Sequence, residues 1–134
     1  MAGSVWGFAQ SVPDAVVISV GGTDVDGASA VPAGFATAYD ALVGTIRINY
    51  PNAHIFLTVW SQIKDGAATS RSAMFNALTA VRTGRAADTK LYVYQFPVAN
   101  FGTDETGCFN HASAPHHQAM AVELVKEIKL RTGW

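Results

Sequence analysis

The chain has 134 residues, of which 49% are apolar and 14% are charged, and its formal net charge at pH 7 is −1. This balance is typical of one folded globular domain, residues 1–134, and excludes an intrinsically disordered chain. A near-neutral charge without a basic patch argues against nucleic acid as a partner, and no apolar run has the length of a membrane span.

The predicted elements begin after residues 1–14. These residues lack the basic start and the long apolar stretch of a signal peptide, and the cellular location stays undetermined. Residues 15–21 (AVVISVG) form a continuous β-branched run that ends in a glycine pair. Such a run is typical of a strand buried on both faces. Residues 54–60 (HIFLTVW) and 90–96 (KLYVYQF) have the same character and predict two more strands.

Helical patterns separate the strands and follow the last one. Apolar positions spaced i, i+4, i+7, i+8 and i+11 predict a first helix that includes Phe35, Tyr39, Leu42, Val43 and Ile46. A second stripe runs from Ala67 to Val81 and closes at Gly84. A third predicts a last helix, N-capped by Ser113, with the apolar residues Met120, Ala121, Leu124, Val125 and Ile128. The order βαβαβα predicts an α/β three-layer sandwich with a short parallel sheet, of flavodoxin-like type.

Chemistry is expected in the loops that follow the strands, because ligands bind at the carboxyl ends of parallel strands in α/β sheets. These loops are residues 21–27, 60–66 and 97–113. The third is long for a strand-to-helix connection, and loops of that length are often functional. It carries His111 just before the last helix, where a histidine is well placed to act as a general base.

The first strand predicts an interaction surface. A sheet of three strands leaves residues 15–21 at an edge, and this edge is flat and hydrophobic. We therefore expect either a homo-oligomer or a partner chain that pairs with it.

Three segments of the chain, residues 13–27, 38–59 and 107–134, resemble the C-terminal part of an SGNH (GDSL-type) hydrolase. Within that superfamily they are most similar to carbohydrate esterase family 2, whose members remove acetyl groups from xylan and related glycans and are often secreted. The similarity runs from about Trp6 to Trp134. It implies a partial SGNH-hydrolase fold, no metal or other cofactor, and a small ester or acetylated glycan as the substrate.

On this resemblance, the family's catalytic histidine falls on His111. The family motif is Gly-Cys-Asp-x-His-Pro, and Gly107 and Cys108 match its first two positions. Its aspartate is replaced by Phe109 and its proline by Ala112. The imidazole would then have to be oriented by another group, such as a backbone carbonyl.

The resemblance also places an oxyanion pocket and leaves the nucleophile open. The family's Gly-x-Asn-Asp motif falls on residues 21–24, which makes Gly22 and Thr23 candidate oxyanion residues, with a plain tight turn as the alternative. The Gly-Asp-Ser block that carries the nucleophilic serine has no counterpart in this chain. The nucleophile would come from a separate chain or from Ser61. Ser61 ends the middle strand on the same rim of the sheet as Thr23 and His111, but no nucleophile elbow surrounds it.

Other residues near these loops have two explanations each. Trp60, Phe101 and Phe109 are candidates for an aromatic wall against a sugar or a short acyl group, and packing in the core or rim is the alternative. His116 and His117 begin the last helix, where adjacent histidines point in different directions and chelate a metal poorly. We expect both to be solvated, and we predict no metal site.

Two functions of different class are therefore predicted. The first is an esterase that hydrolyses short-chain, acetyl esters on carbohydrates by serine–histidine acyl transfer, with His111 as the base. The second is a non-catalytic, oligomeric remnant that binds a glycan or a protein, which the departures at Thr23, Phe109 and Ala112 favour. A third function, a binding module for a phosphorylated ligand, is supported only by the glycine pair Gly21-Gly22, and the sequence has no Gly-rich phosphate loop.

Overall fold

The sheet has three parallel strands in the order β1-β2-β3. This is seen in a computed structural model that describes residues 7–63, 65–66, 69–98, 107–108 and 111–134. The strands are β1 Ala15–Ile18, β2 His54–Val59 and β3 Leu91–Gln95. All three predicted strands are confirmed, and each is shorter than its apolar run. The expected burial on both faces holds for β2 but is wrong for β1, where Val17 is exposed, and for β3, most of which is half-buried. β1 ends early because only Ala15 to Ile18 pair with β2, after which the chain turns at Gly21.

The helices of the described residues are α1 Gly22–Val25, α2 Phe35–Asn49, α3 Ser70–Gly84 and α4 Ala114–Thr132. α2, α3 and α4 confirm the predicted helices, although Ala67 lies outside the described residues. Leu42, predicted on the apolar face of α2, is 39% exposed, so that prediction is wrong at this position. The predicted cap of α4 is confirmed as well, because the Ser113 side chain accepts a hydrogen bond from the His116 backbone N–H at 3.3 Å. α1 is a single turn in a segment that the sequence analysis treats as a loop.

Alternating side chains of the strands divide the interior into two layers. Ile55, Leu57 and Val59 of β2 are fully buried toward α2 and α3, and they share one core with Ile18, Val25, Tyr39, Val43, Ile63, Met74, Leu78, Val81 and Leu91. Phe56 points to the opposite face and stacks on Tyr92. That face carries α4, whose Arg131 lies 5.5 Å from the centre of the Tyr92 ring. The predicted three-layer α/β sandwich is thus confirmed.

The face of β1 on the α4 side remains open. Val17 lies on that face and is 41% exposed, so α4 covers β2 and β3 but not β1. On α4, Met120 is buried as predicted, whereas Val125 is 49% exposed and Ala121 is exposed as well, so the predicted apolar stripe is wrong at those two positions. The physical reason is that both lie to one side of the helix face that carries Met120 and Leu124. None of the helices in the described ranges has the length and apolar character of a membrane-spanning segment.

Ion pairs link the helices to each other and to the sheet near its amino end. Arg47 of α2 makes two hydrogen bonds to Asp88, at 2.9 and 3.1 Å, and donates to the Ala53 carbonyl at 2.7 Å. Arg85 likewise makes two hydrogen bonds to Asp40. These cations are engaged in holding α2 to the sheet and to the end of α3. The candidate site residues follow the strands and so belong to the opposite, carboxyl end of the sheet.

Candidate functional site

Arg71 of α3 joins the loops that follow β2 and β3. Its guanidinium donates to the carbonyls of Trp60 and Ile63, each at 3.1 Å, and to the carbonyl of Phe96 at 2.5 Å. Burial lowers the pKa of Arg71, and the negative charge of Asp65 opposes that effect. Because one rigid, planar group serves three backbone acceptors, it fixes Trp60 relative to the end of β3.

Replacing Arg71 by methionine keeps most of the aliphatic stem and removes the guanidinium donors. We expect the free energy of unfolding to fall by about 1–2 kcal/mol, because three carbonyls lose a charge-assisted bond and water replaces it only partly. Urea unfolding followed by circular dichroism measures this loss. Arg82→Met is the matched control, since Arg82 makes one long bond, to the Arg85 carbonyl at 3.3 Å. An equal loss in both variants would contradict the role of Arg71.

The turn after β1 is closely packed. The Tyr39 and Thr58 hydroxyls both donate to the Ile18 carbonyl, at 3.4 and 3.0 Å. Burial raises the pKa of Tyr39 to about 12. Gly21 follows with φ +95°, and a methyl group there would lie 2.7 Å from the Phe35 ring. The end of β1 is thus fixed from both faces of the turn.

The structure places two of the three predicted pocket residues next to each other. A Cβ on Gly22 would lie 3.9 Å from Cε3 of Trp60, so the Gly22 backbone borders the Trp60 ring. Trp60 is half-buried against the main core. Thr23 is exposed in α1. Their roles as an oxyanion pocket and an apolar wall stay predictions. Phe101 and Phe109 lie outside the described residues.

His111 is exposed on a short turn before α4. Its backbone N–H donates to the Cys108 carbonyl at 3.0 Å, and its carbonyl accepts from the Gly107 N–H at 2.7 Å. Within the described part of the chain, the imidazole has no hydrogen-bond partner and is not bonded to Ser61. No group of three His, Cys, Asp or Glu side chains that could hold a metal occurs in the same ranges. The role of His111 as a base stays a prediction.

Ser61 lies in a buried cluster with α4. Its side chain is fully buried, and its Oγ is 2.9 Å from Nε2 of His116 and 3.2 Å from Sδ of Met120. The expectation that His116 is solvated is therefore wrong, since His116 is only 9% exposed; its neighbour His117 is exposed as expected. The sequence does contain a signal for this: His116 and Met120 are four residues apart and so share one helix face.

The Ser61 hydroxyl is within hydrogen-bond distance of both neighbours, and the tautomer of His116 sets which group donates in the Ser61–His116 contact. A nucleophilic serine must be reached by the substrate carbonyl, whereas Ser61 is completely buried. The burial of Ser61 therefore does not support its predicted role as a nucleophile.

The chain was compared with known proteins, and no family model matches it. It is 36% identical over 130 residues to the cellulase/esterase CelE of Acetivibrio thermocellus. The match covers 96% of this chain but only 16% of that relative.

Two solved structures share the fold. A family two carbohydrate esterase from Clostridium thermocellum, solved with cellohexaose, has a TM-score of 0.88 and 36% identity over 99% of this chain and 40% of its own. A family 2 carbohydrate esterase with a carbohydrate-binding domain from Corynascus thermopiles (Myceliophthora fergusii) has a TM-score of 0.77 and 29% identity over 93% of this chain and 39% of its own. The predicted resemblance and the SGNH-type α/β fold are confirmed, and the chain spans a minor part of these relatives.

Proposed function

We propose, from the premise that this chain is a relative of family two carbohydrate esterases, that it takes part in the hydrolysis of acetyl esters on carbohydrates. The observation that carries the proposal is the match of 99% of the chain, at a TM-score of 0.88, to an esterase that was solved with cellohexaose. The chain would supply the histidine side of the site. Its substrate would be a short-chain ester, first of all an acetylated glycan.

His111 is proposed as the general base. It stands on an exposed turn, where a substrate has access, and on the loop that enters the last helix. A neutral imidazole takes the proton of the attacking hydroxyl and passes it to the leaving sugar oxygen. It then takes a proton from the water that cleaves the acyl-enzyme and returns it to the serine as acetate is released. The Gly22 N–H and the Thr23 hydroxyl are proposed to stabilise the oxyanion, and Trp60 to border the acyl or sugar group.

The nucleophilic serine is proposed to lie on a polypeptide segment that pairs with the open edge of β1. Within the described residues β1 pairs with β2 alone, and Val17 and Val20 nearby are 41% and 50% exposed. A strand added at this edge would bury that surface and satisfy the unpaired backbone groups. A second copy of the chain is the other proposed occupant. Light scattering at micromolar concentration distinguishes the two, since only self-pairing gives a dimer of the pure chain.

Transfer of the chain into a relative tests the proposal. The matched 40% of the Clostridium thermocellum esterase is replaced by this chain, and acetate release from acetylated xylan is measured beside labelling with a fluorophosphonate. We expect acetate release by the chimaera, no release by the isolated chain, and no label on Ser61. A folded but inactive chimaera would contradict the esterase function. A labelled Ser61 in an active isolated chain would instead contradict the external nucleophile.

The second candidate function is a non-catalytic remnant that binds a glycan. It is favoured by the departures at Thr23 and Ala112 and by the burial of Ser61. Titration of the chain with cellohexaose by calorimetry examines it, and binding by a chain whose chimaera releases no acetate would favour it over the esterase.

A further inference from the structure

Ser61, His116 and Met120 connect two elements that are distant in sequence. Ser61 follows β2, whereas His116 and Met120 lie in the first two turns of α4, and 55 residues separate Ser61 from His116. All three side chains are buried, at 0%, 9% and 8% exposure. We call this set the Ser61 cluster. It is the point where the described residues tie the start of α4 to the carboxyl end of the sheet by a side-chain hydrogen bond.

A chain of short contacts leads from the Ser61 cluster to His111. The His116 backbone N–H is bonded to the Ser113 side chain, which caps α4. Just before the cap, a Cβ on Gly107 would approach the Ala112 carbonyl oxygen to 3.1 Å and Cα of Ser113 to 3.3 Å. Gly107 in turn donates to the His111 carbonyl at 2.7 Å. The turn with His111 therefore packs directly against the capped start of the helix.

We propose that the hydrogen bond between Ser61 and His116 is a positioning contact for His111. The bond fixes the first turn of α4 on the end of β2, and the packed turn before α4 transmits that position to the imidazole. A buried, directional bond suits this task because interiors are densely packed and a shifted helix start would leave polar groups without their bonds. The catalytic meaning of this contact rests on the proposed function of His111, whereas the positioning itself is independent of any activity.

Amide hydrogen exchange of the chain, followed by NMR, tests the proposal. In Ser61→Ala and His116→Leu we expect exchange at least about tenfold faster at the Gly107, His111 and His116 amides, because local opening of the helix start becomes easier. The Ile55 amide, bonded to the Lys90 carbonyl at 2.8 Å in the sheet, is expected to keep its rate. His117→Leu, at the exposed neighbouring position, is the matched control and is expected to change none of these rates.

A conservative variant separates positioning from loss of packing. His116→Gln retains a side-chain N–H donor near the place of Nε2, and we expect it to restore at least half of the protection that His116→Leu loses. Equal acceleration of all amides, the Ile55 amide included, would overturn the proposal, because it reports global destabilisation. Unchanged rates at Gly107 and His111 in Ser61→Ala would overturn it too.

The kinetics of the chimaera test the positioning of His111 separately from the esterase activity. In an active chimaera, Ser61→Ala is expected to lower kcat about tenfold and to leave KM within about twofold, because the base is misplaced while the glycan contacts remain. An unchanged kcat would overturn the positioning of the base. An inactive chimaera with locally accelerated exchange in Ser61→Ala would contradict the esterase and support the positioning contact.

Discussion

His111→Ala is expected to lower kcat/KM for acetate release by the chimaera by at least ~10²-fold, the range that loss of a general base produces. The reason is that His111 combines solvent access with a place on the loop that enters α4 at the carboxyl end of the sheet. In the proposed mechanism, the attacking hydroxyl then has no proton acceptor. Initial rates with p-nitrophenyl acetate and with acetylated xylan measure the effect.

A nearby histidine, His117, and added imidazole supply the controls for this experiment. His117→Ala removes an exposed imidazole from the first turn of α4 and is expected to change kcat/KM less than about twofold, as for an ordinary surface substitution. Added imidazole is expected to restore part of the rate in His111→Ala only. A drop of similar size in His111→Ala and His117→Ala would show that His111 is not the base.

Gly21→Ala is expected to lower the free energy of unfolding by about 2–5 kcal/mol, more than any other substitution proposed here. Two costs combine at this position. A φ of +95° is unfavourable for alanine, by about 1–2 kcal/mol. The added methyl would also lie 2.7 Å from Cζ of Phe35 and 2.9 Å from Cε of Met74, and such overpacking costs about 1–3 kcal/mol.

Gly27→Ala separates the two costs. Gly27 also has a positive φ, of +70°, but nothing lies within 4 Å of a Cβ there, so only the backbone cost remains. We expect it to lose about 1–2 kcal/mol, the usual cost of a left-handed conformation for a residue other than glycine. Urea unfolding of both variants, with equal m-values, gives the difference that belongs to packing. Equal losses would contradict the close contact of the turn with Phe35 and Met74.

The sequence predicts the elements well because their signals are local. A continuous β-branched run identifies a strand, although only β2 is buried on both faces. The 3.6-residue period identifies α2, α3 and α4, each within a window of about one element. The Ser113 cap is equally local, since the side chain and the N–H that it accepts are three residues apart. The order of these elements then determines the parallel α/β fold.

Local signals also predict the wrong burial for some helix side chains and the wrong structure for one segment, for one physical reason. Val125 fits the apolar stripe of α4, yet it is 49% exposed, since burial depends on what lies beneath a helix and not on its own period. The segment after β1 looks like a plain loop but forms the single turn α1, whose Val25 is fully buried in the main core. In both cases the outcome depends on tertiary neighbours.

The candidate site shows the same division between sequence and tertiary structure. The sequence by itself determines that the candidate site residues follow strands or precede α4, and so belong to the carboxyl end of the sheet. These residues are Gly22, Thr23, Trp60, Ser61 and His111. Only the tertiary structure decides which of two adjacent histidines turns inward, and it brings His116 to within 2.9 Å of Ser61 across 55 residues of chain. The four-residue spacing of His116 and Met120 places both on one helix face, but no local pattern pairs that face with Ser61, because the two polar groups satisfy each other only after the helix has docked on the sheet.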